Sequence, residues 1–417
     1  ASVEQVLEFF PVLRDRWDQR AGNLSGGEQQ MLTLGQAFIA RPRLLLIDEL
    51  SLGLAPIIVE QLLGIVRAIH AGGTTVVLVE QSVNVAITLA DRAVFMEKGE
   101  VRFDGPTADL LHRPEILRAV FLEGAASNGR GPGAKAKAKA AALDKVPFTP
   151  HCEHCGHDHP VSLELAGVSA AFGGVKAVNQ VDLAVHQGQI LGIIGPNGAG
   201  KTTVLDLISG FVVPTEGRVT LQGVDVTELT ASDRAEQGLG RSFQDARLFP
   251  TMTVRQAIAT ACERHIAVRD PISPFVLSTA VKVSERAVNA EVDALIELMR
   301  LQAYADKFLG ELSTGTRRVV DLACTLAHRP SVLLLDEPSS GIAQRETEAL
   351  APLLVDIRDK TGAAMVVIEH DMPFVMGISD RVYCLETGSV IAEGTPDEVR
   401  NNPAVIASYL GIDERAI

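Results

Sequence analysis

The sequence predicts an α/β fold with a mostly parallel sheet, present once complete and once shorter, and three observations predict it. A glycine-rich phosphate-loop pattern follows a short apolar run and opens a helix. Runs of β-branched and leucine residues end in acidic pairs, as buried parallel strands do. The same order of features occurs twice along the 417 residues.

Bulk composition narrows the class. Hydrophobic residues make up 47% and charged residues 22%, the balance of a globular chain long enough for two or three cores. A net charge of −14 argues against nucleic acid as a general partner. No apolar run reaches the roughly 18 residues that span a bilayer, and no signal-peptide pattern is present. Three of the 5 cysteines stand singly in apolar segments, which argues for a reducing compartment rather than a disulfide framework.

The repeat sets the domain organisation. Leu24-Ser25-Gly26-Gly27-Glu28, an apolar-periodic helix and Leu44-Leu45-Leu46-Ile47-Asp48-Glu49 recur as Leu312-Ser313-Thr314-Gly315-Thr316, a helix and Val332-Leu333-Leu334-Leu335-Asp336-Glu337. Thr75–Glu80 matches Ala364–Glu369, and Asp91-Arg92 matches Asp380-Arg381. Residues 1–123 therefore form a first, partial module and residues 161–417 a complete one. Between them, 124–160 carries Gly129-Arg130-Gly131-Pro132-Gly133 and an Ala-Lys alternation, a composition that buries no core and reads as a tether.

The complete module carries an ordered set of chemical groups. Gly195-Pro196-Asn197-Gly198-Ala199-Gly200-Lys201-Thr202 follows Ile190–Ile194 and precedes a helix expected to begin near Thr203. In such a loop the backbone N–H groups of Gly195, Asn197, Gly198 and Gly200 wrap phosphates, with Thr203 in the helix that follows. Lys201 reaches the β- and γ-phosphates, and Thr202 ligates Mg²⁺. Gln244 lies where a loop residue senses Mg²⁺ and the attacking water. Asp336 ends a strand, suited to Mg²⁺, and Glu337 beside it is placed as general base. His370 ends the next strand, and Phe172 is a candidate adenine platform. Singly, each has a plainer reading as a core aromatic, a solvated loop residue or a strand-end histidine; their order carries the functional one.

This set resembles the ATP-binding cassette (ABC) family, with Walker A, Q-loop, signature, Walker B, D-loop and H-loop in sequence. The resemblance implies a phosphate-loop NTPase fold with an antiparallel β subdomain and a helical subdomain. It also implies ATP-dependent head-to-tail pairing of modules, in which Ser25, Gly26 and Gly27 close on the γ-phosphate held by Lys201. Ser51-Leu52-Gly53-Leu54-Ala55-Pro56 and Val79-Glu80-Gln81 are similar to one Liv-type ATPase subunit of branched-chain amino acid uptake. Phe172–Val178, Phe243–Phe249 and Tyr409-Leu410-Gly411 are similar to the other, so the chain reads as the two joined.

The first copy departs from the family pattern. It has no Walker A, Q-loop or adenine platform, and with Ala1 in place of Met it is expected to be truncated or naturally degenerate. Its sheet is expected to expose apolar, unpaired edges. Leu50 follows the Walker B Glu, Gln81 replaces the switch His, and Thr314 and Thr316 alter the second signature. At the tether's end, His151, Cys152, His154 and Cys155 compose either a Zn²⁺ site or a polar linker end.

The reading is an ATP-hydrolysing subunit of an ABC importer for branched-chain amino acids or related small polar solutes, using ATP and Mg²⁺. Separate transmembrane permease subunits and a solute-binding protein are implied, with the chain peripheral on the cytoplasmic face of the membrane. The alternatives are a soluble tandem ATPase acting on ribosomes and a nucleotide-gated scaffold.

Overall fold

A computed structural model describes residues 2–24, 26–48, 50, 56–80, 89–97, 100–107, 159–243, 248–265, 279–340, 342 and 344–410. The chain divides into two compact units, one built mainly on residues 1–124 and the other mainly on 125–405.

In the first unit, helix Gly26–Ala40 leads into β1 (Leu44–Asp48), helix Pro56–Ala71 and β2 (Thr75–Val79), followed by the hairpin β3 (Arg92–Glu97) and β4 (Glu100–Pro106). Phe10, Met31, Leu62, Ile65 and Val66 form its core. Strands β1 and β2 pair in parallel, with Leu44 opposite Thr75 and Asp48 opposite Val79.

The second unit holds two sheets. Strands β5 (Val161–Phe172), β6 (Val175–His186), β8 (Glu216–Leu221) and β9 (Val224–Asp225) form an antiparallel sheet in the order β6-β5-β8-β9. The larger sheet runs β10-β11-β12-β7-β13-β14, from β7 (Ile190–Ile194), β10 (Leu239–Ser242), β11 (Val332–Asp336), β12 (Ala364–Ile368), β13 (Arg381–Glu386) and β14 (Ser389–Gly394). All its pairings are parallel except β13 with β14.

Strands β7, β11 and β12 are buried along their whole length, and the pleat explains why an unbroken apolar run was needed. Leu191, Ile193, Val332, Leu334, Val366 and Ile368 face one core, shared with β5, β6, β8 and helix Lys201–Ser209. Ile190, Leu333, Leu335, Met365 and Val367 face the other, shared with helices Val254–Ala261, Thr279–Leu298, Thr314–Leu326 and Gln344–Thr361. Each such side chain contributes roughly 1.5–3 kcal/mol of burial.

The repeat extends to register. Val332 opposite Ala364 through Asp336 opposite Ile368 repeats the β1–β2 pairing residue for residue. The β3–β4 hairpin has its irregularity between Phe95 and Met96, and β13–β14 between the matching Cys384 and Leu385. One face differs sharply: Leu46 is 69% exposed, whereas its counterpart Leu334 is 0% exposed. Leu44, Val77 and Val79 are exposed in the same way, because nothing among the described residues occupies the place that β7 and helix Lys201–Ser209 take beside β11 and β12. No described helix is long and apolar enough to cross a membrane.

Candidate functional site

The site is built at the carboxyl ends of β7, β11 and β12, neighbours in the sheet. The loop after β7 is shaped by two glycines. Gly195 has φ 150°, and a Cβ there would lie 2.2 Å from the carbonyl oxygen of Leu385. Gly200 has φ 98°, and its Cβ would lie 2.4 Å from the carbonyl oxygen of Ala177. No side chain fits either position, so the backbone itself lines the cradle. Gly200 caps a helix that starts at Lys201, earlier than the Thr203 expected, so Lys201 and Thr202 both sit in its first turn. Asn197 and Gly198 are exposed on the loop, Thr202 is exposed and Thr203 half-buried.

Lys201 is 6% exposed, and its Nζ donates to the carbonyl oxygen of Gly195 at 2.7 Å. Burial pulls its ammonium down to about 8, against the opposing pull of Glu337, Cys384 and Asp336. Lys201 is therefore charged below about pH 8 and loses its proton above it. Phosphate favours the charged form, so nucleotide binding raises this value and takes up protons. Calorimetry at about pH 8.5 in buffers of different ionisation enthalpy should show uptake approaching one proton, and far less at about pH 7. Equal proton counts at both would remove Lys201 from the phosphate site.

Asp336 closes β11 and is buried, and burial pushes its carboxyl above the usual range, opposed first by the charge of Arg241. Arg241 Nη2 donates to Asp336 Oδ2 at 3.4 Å, while its Nη1 donates to Asp206 Oδ1 at 2.7 Å and Ser209 Oγ at 2.8 Å. Its guanidinium also lies over the rings of Phe211 and Phe243, at 5.6 and 5.0 Å from their centroids.

Glu337 sits at φ 46°, a left-handed conformation that costs a non-glycine residue about 1–3 kcal/mol. Its N–H donates to the carbonyl oxygen of Ile368 at 2.9 Å, tying the end of β11 to that of β12. Its Oε1 lies 2.6 Å from His370 Nε2, and this hydrogen bond holds the Glu337 carboxyl below its usual range. Glu369, between the end of β12 and His370 in the chain, accepts from the N–H of Ser339 at 2.6 Å and the N–H of His370 at 3.0 Å. Burial pushes the Glu369 carboxyl up, opposed first by the Ser339 side chain and then by the N–H groups of Ser339, His370 and Asp371.

The structure thus brings Lys201, Asp336, Glu337 and His370 into one electrostatic neighbourhood. Phe172 is 51% exposed at the tip of the β5–β6 hairpin, whose return strand passes Ala177 against Gly200. Gly26 and Gly27 lie in the first turn of helix Gly26–Ala40. Gln244, Ser25, His151, Cys152, His154 and Cys155 lie outside the described residues. Among the described residues no cluster of three or more His, Cys, Asp or Glu has metal-holding geometry. Three residues were given no role from sequence: Arg241, Glu369, whose only mark there is its repeat in Glu80, and Arg318, whose Nη1 donates to the carbonyl oxygen of Phe243. Ser313 caps helix Thr314–Leu326, accepting from the N–H of Thr316 at 3.1 Å.

A phosphate cradle with a buried lysine, facing a strand-end Asp-Glu pair and a histidine, defines a phosphate-loop ATPase. Comparison places it further. A family model described as "ABC transporter" matches residues 178–340, and one described as "Branched-chain amino acid ATP-binding cassette transporter" matches 389–415. The high-affinity branched-chain amino acid transport ATP-binding protein BraF of Pseudomonas aeruginosa is 38% identical over 249 residues, 60% of this chain and 97% of that protein. LivG of Escherichia coli K12, of the same description, is 37% identical over 252 residues, with the same shares covered. A nucleotide-free ATP-binding cassette from an ABC transporter matches with TM-score 0.52 and 27% identity, over 60% of this chain and 99% of that one. The chain belongs to the ABC transporter ATP-binding family. It is an ATP-binding, ATP-hydrolysing protein of that family, which disfavours the ribosome-acting and scaffold readings.

Proposed function

We propose that this chain energises import of branched-chain amino acids or related small polar solutes, as a peripheral subunit on the cytoplasmic face of the membrane. The observation that carries the reading is the Lys201, Asp336, Glu337 and His370 constellation in a domain similar along its length to BraF and LivG. Its partners are separate transmembrane permease subunits, a solute-binding protein and a second nucleotide-binding module. The internal repeat, with its shared register, supports two Liv-type subunits joined in one chain.

In the proposed reaction, Lys201 and the loop N–H groups hold the β- and γ-phosphates of ATP. Thr202, Gln244 and Asp336 offer the oxygen donors that suit Mg²⁺, which would offset phosphate charge when bound. Asp336 is buried, its carboxyl is pushed above the usual range, and Arg241 only partly opposes that push, which fits a carboxylate that faces a cation. Glu337 accepts the proton of the attacking water as its oxygen bonds to the γ-phosphorus and the bond to ADP breaks. His370 holds the Glu337 carboxylate in place. Phe172 offers an exposed ring for adenine.

The test is uptake of labelled leucine, isoleucine and valine by cells whose chromosomal copy carries Glu337→Gln. Loss of uptake with normal levels of the protein is expected. Unchanged uptake of all three, with loss of some other solute, would reject this cargo while leaving the ATPase intact.

A further inference from the structure

Glu369 is 3% exposed, yet among the described residues no cation faces its carboxylate. Burying such a group costs several kcal/mol unless its oxygens are satisfied. Here the Ser339 side chain and the N–H groups of Ser339, His370 and Asp371 satisfy them, and they belong to two different loops. Oε1 takes the N–H of Ser339, two residues after Glu337; Oε2 takes the N–H of His370. The turn 337–340 is closed on itself by the N–H of Ser340 donating to the carbonyl oxygen of Glu337 at 3.1 Å. It hangs from β12 at two points, the Ile368 carbonyl and the Glu369 carboxylate.

The repeat supplies an independent observation. In the first copy the residue after β2 is Glu80, and Gln81 follows where the second copy has His370. The carboxylate is thus present in both copies although its neighbour's chemistry changes. A residue that served only the histidine would have no reason to stay.

We infer that Glu369 is a positioning residue for hydrolysis: it fixes the loop of Glu337 and the loop of His370 in one geometry. The inference rests on Glu337 as the base. Without the carboxylate, Ser339 and His370 lose a shared anchor, the strained Glu337 backbone relaxes, and the Glu337–His370 contact loosens. A misplacement of about 1 Å at a reacting group costs on the order of 10²-fold in rate.

The experiment compares Glu369→Ala, Glu369→Gln and Glu337→Gln in the full chain, measuring kcat and KM for ATP together with Tm. Gln keeps one acceptor oxygen but turns its NH₂ toward one of the two N–H donors, so it should restore only part of the geometry. Expected is a fall in kcat of about 10- to 100-fold for Ala, less for Gln, with KM within about twofold and Tm shifted by less than a few degrees. A merely structural residue would lower Tm and raise KM together; that pattern overturns the inference, as does kcat unchanged in both Glu369 variants. If Ala does not fold, the Gln variant carries the same comparison. Near-normal turnover in Glu337→Gln would instead reject the base assignment itself, and the inference with it.

Discussion

Glu337→Gln is expected to bind MgATP with near-normal affinity and hydrolyse it about 10²–10⁴-fold more slowly, the usual loss when a positioned general base is removed. Gln has the shape of Glu, so the left-handed turn at φ 46° and its N–H bond to Ile368 are preserved. What disappears is the ability to take a proton. The native carboxylate is poised for that task because its hydrogen bond to His370 keeps it ionised. Phosphate release and equilibrium nucleotide binding, measured on the same preparation, separate the two effects. Turnover within about tenfold of the parent would mean that another group accepts the proton.

Lys201→Ala should act earlier, on binding. The ammonium is buried against the Gly195 carbonyl and is already pulled down to about 8, so the folded protein holds it at a cost. That cost is recovered when phosphate arrives, through charge-assisted hydrogen bonds worth roughly 1.5–3 kcal/mol each. Affinity for ATP should fall by about 10- to 100-fold or more in a nucleotide titration. Lys201→Arg should not rescue it, because a planar guanidinium does not fit the slot of a compact ammonium. Affinity within twofold of the parent for Lys201→Ala would place the phosphates elsewhere.

Much of the site was readable before the fold. The phosphate loop is contiguous: its glycines, lysine and threonine act through backbone conformation and one helix terminus, all local consequences of sequence. The Asp336-Glu337 pair and His370 were readable as residues ending apolar runs, since a buried parallel strand must be apolar throughout and its first polar residue marks its end. Helix Lys201–Ser209 starts two residues before its apolar pattern suggests, because that pattern begins only at Val204 and the glycine cap does not enter it.

Arg241, Arg318 and Glu369 were not readable. Arg241 meets Asp206 and Asp336 from 35 and 95 residues away, and Glu369 meets Ser339 from 30 residues away. No local period marks such residues; each looks like an ordinary charged group in a strand, at a strand's end or on a helix. The exposed face of β1 and β2 divided the same way. From the two unequal copies came the expectation of apolar, unpaired edges; that a face is bare as well, and that Leu44, Leu46, Val77 and Val79 stand on it, depended on the pleat. By itself, then, the order of motifs determined the class of chemistry and marked the residues proposed to touch phosphate and water. Which groups hold those residues in place was decided only by the strand order β10-β11-β12-β7, because sheet neighbours are chosen by packing and not by sequence proximity.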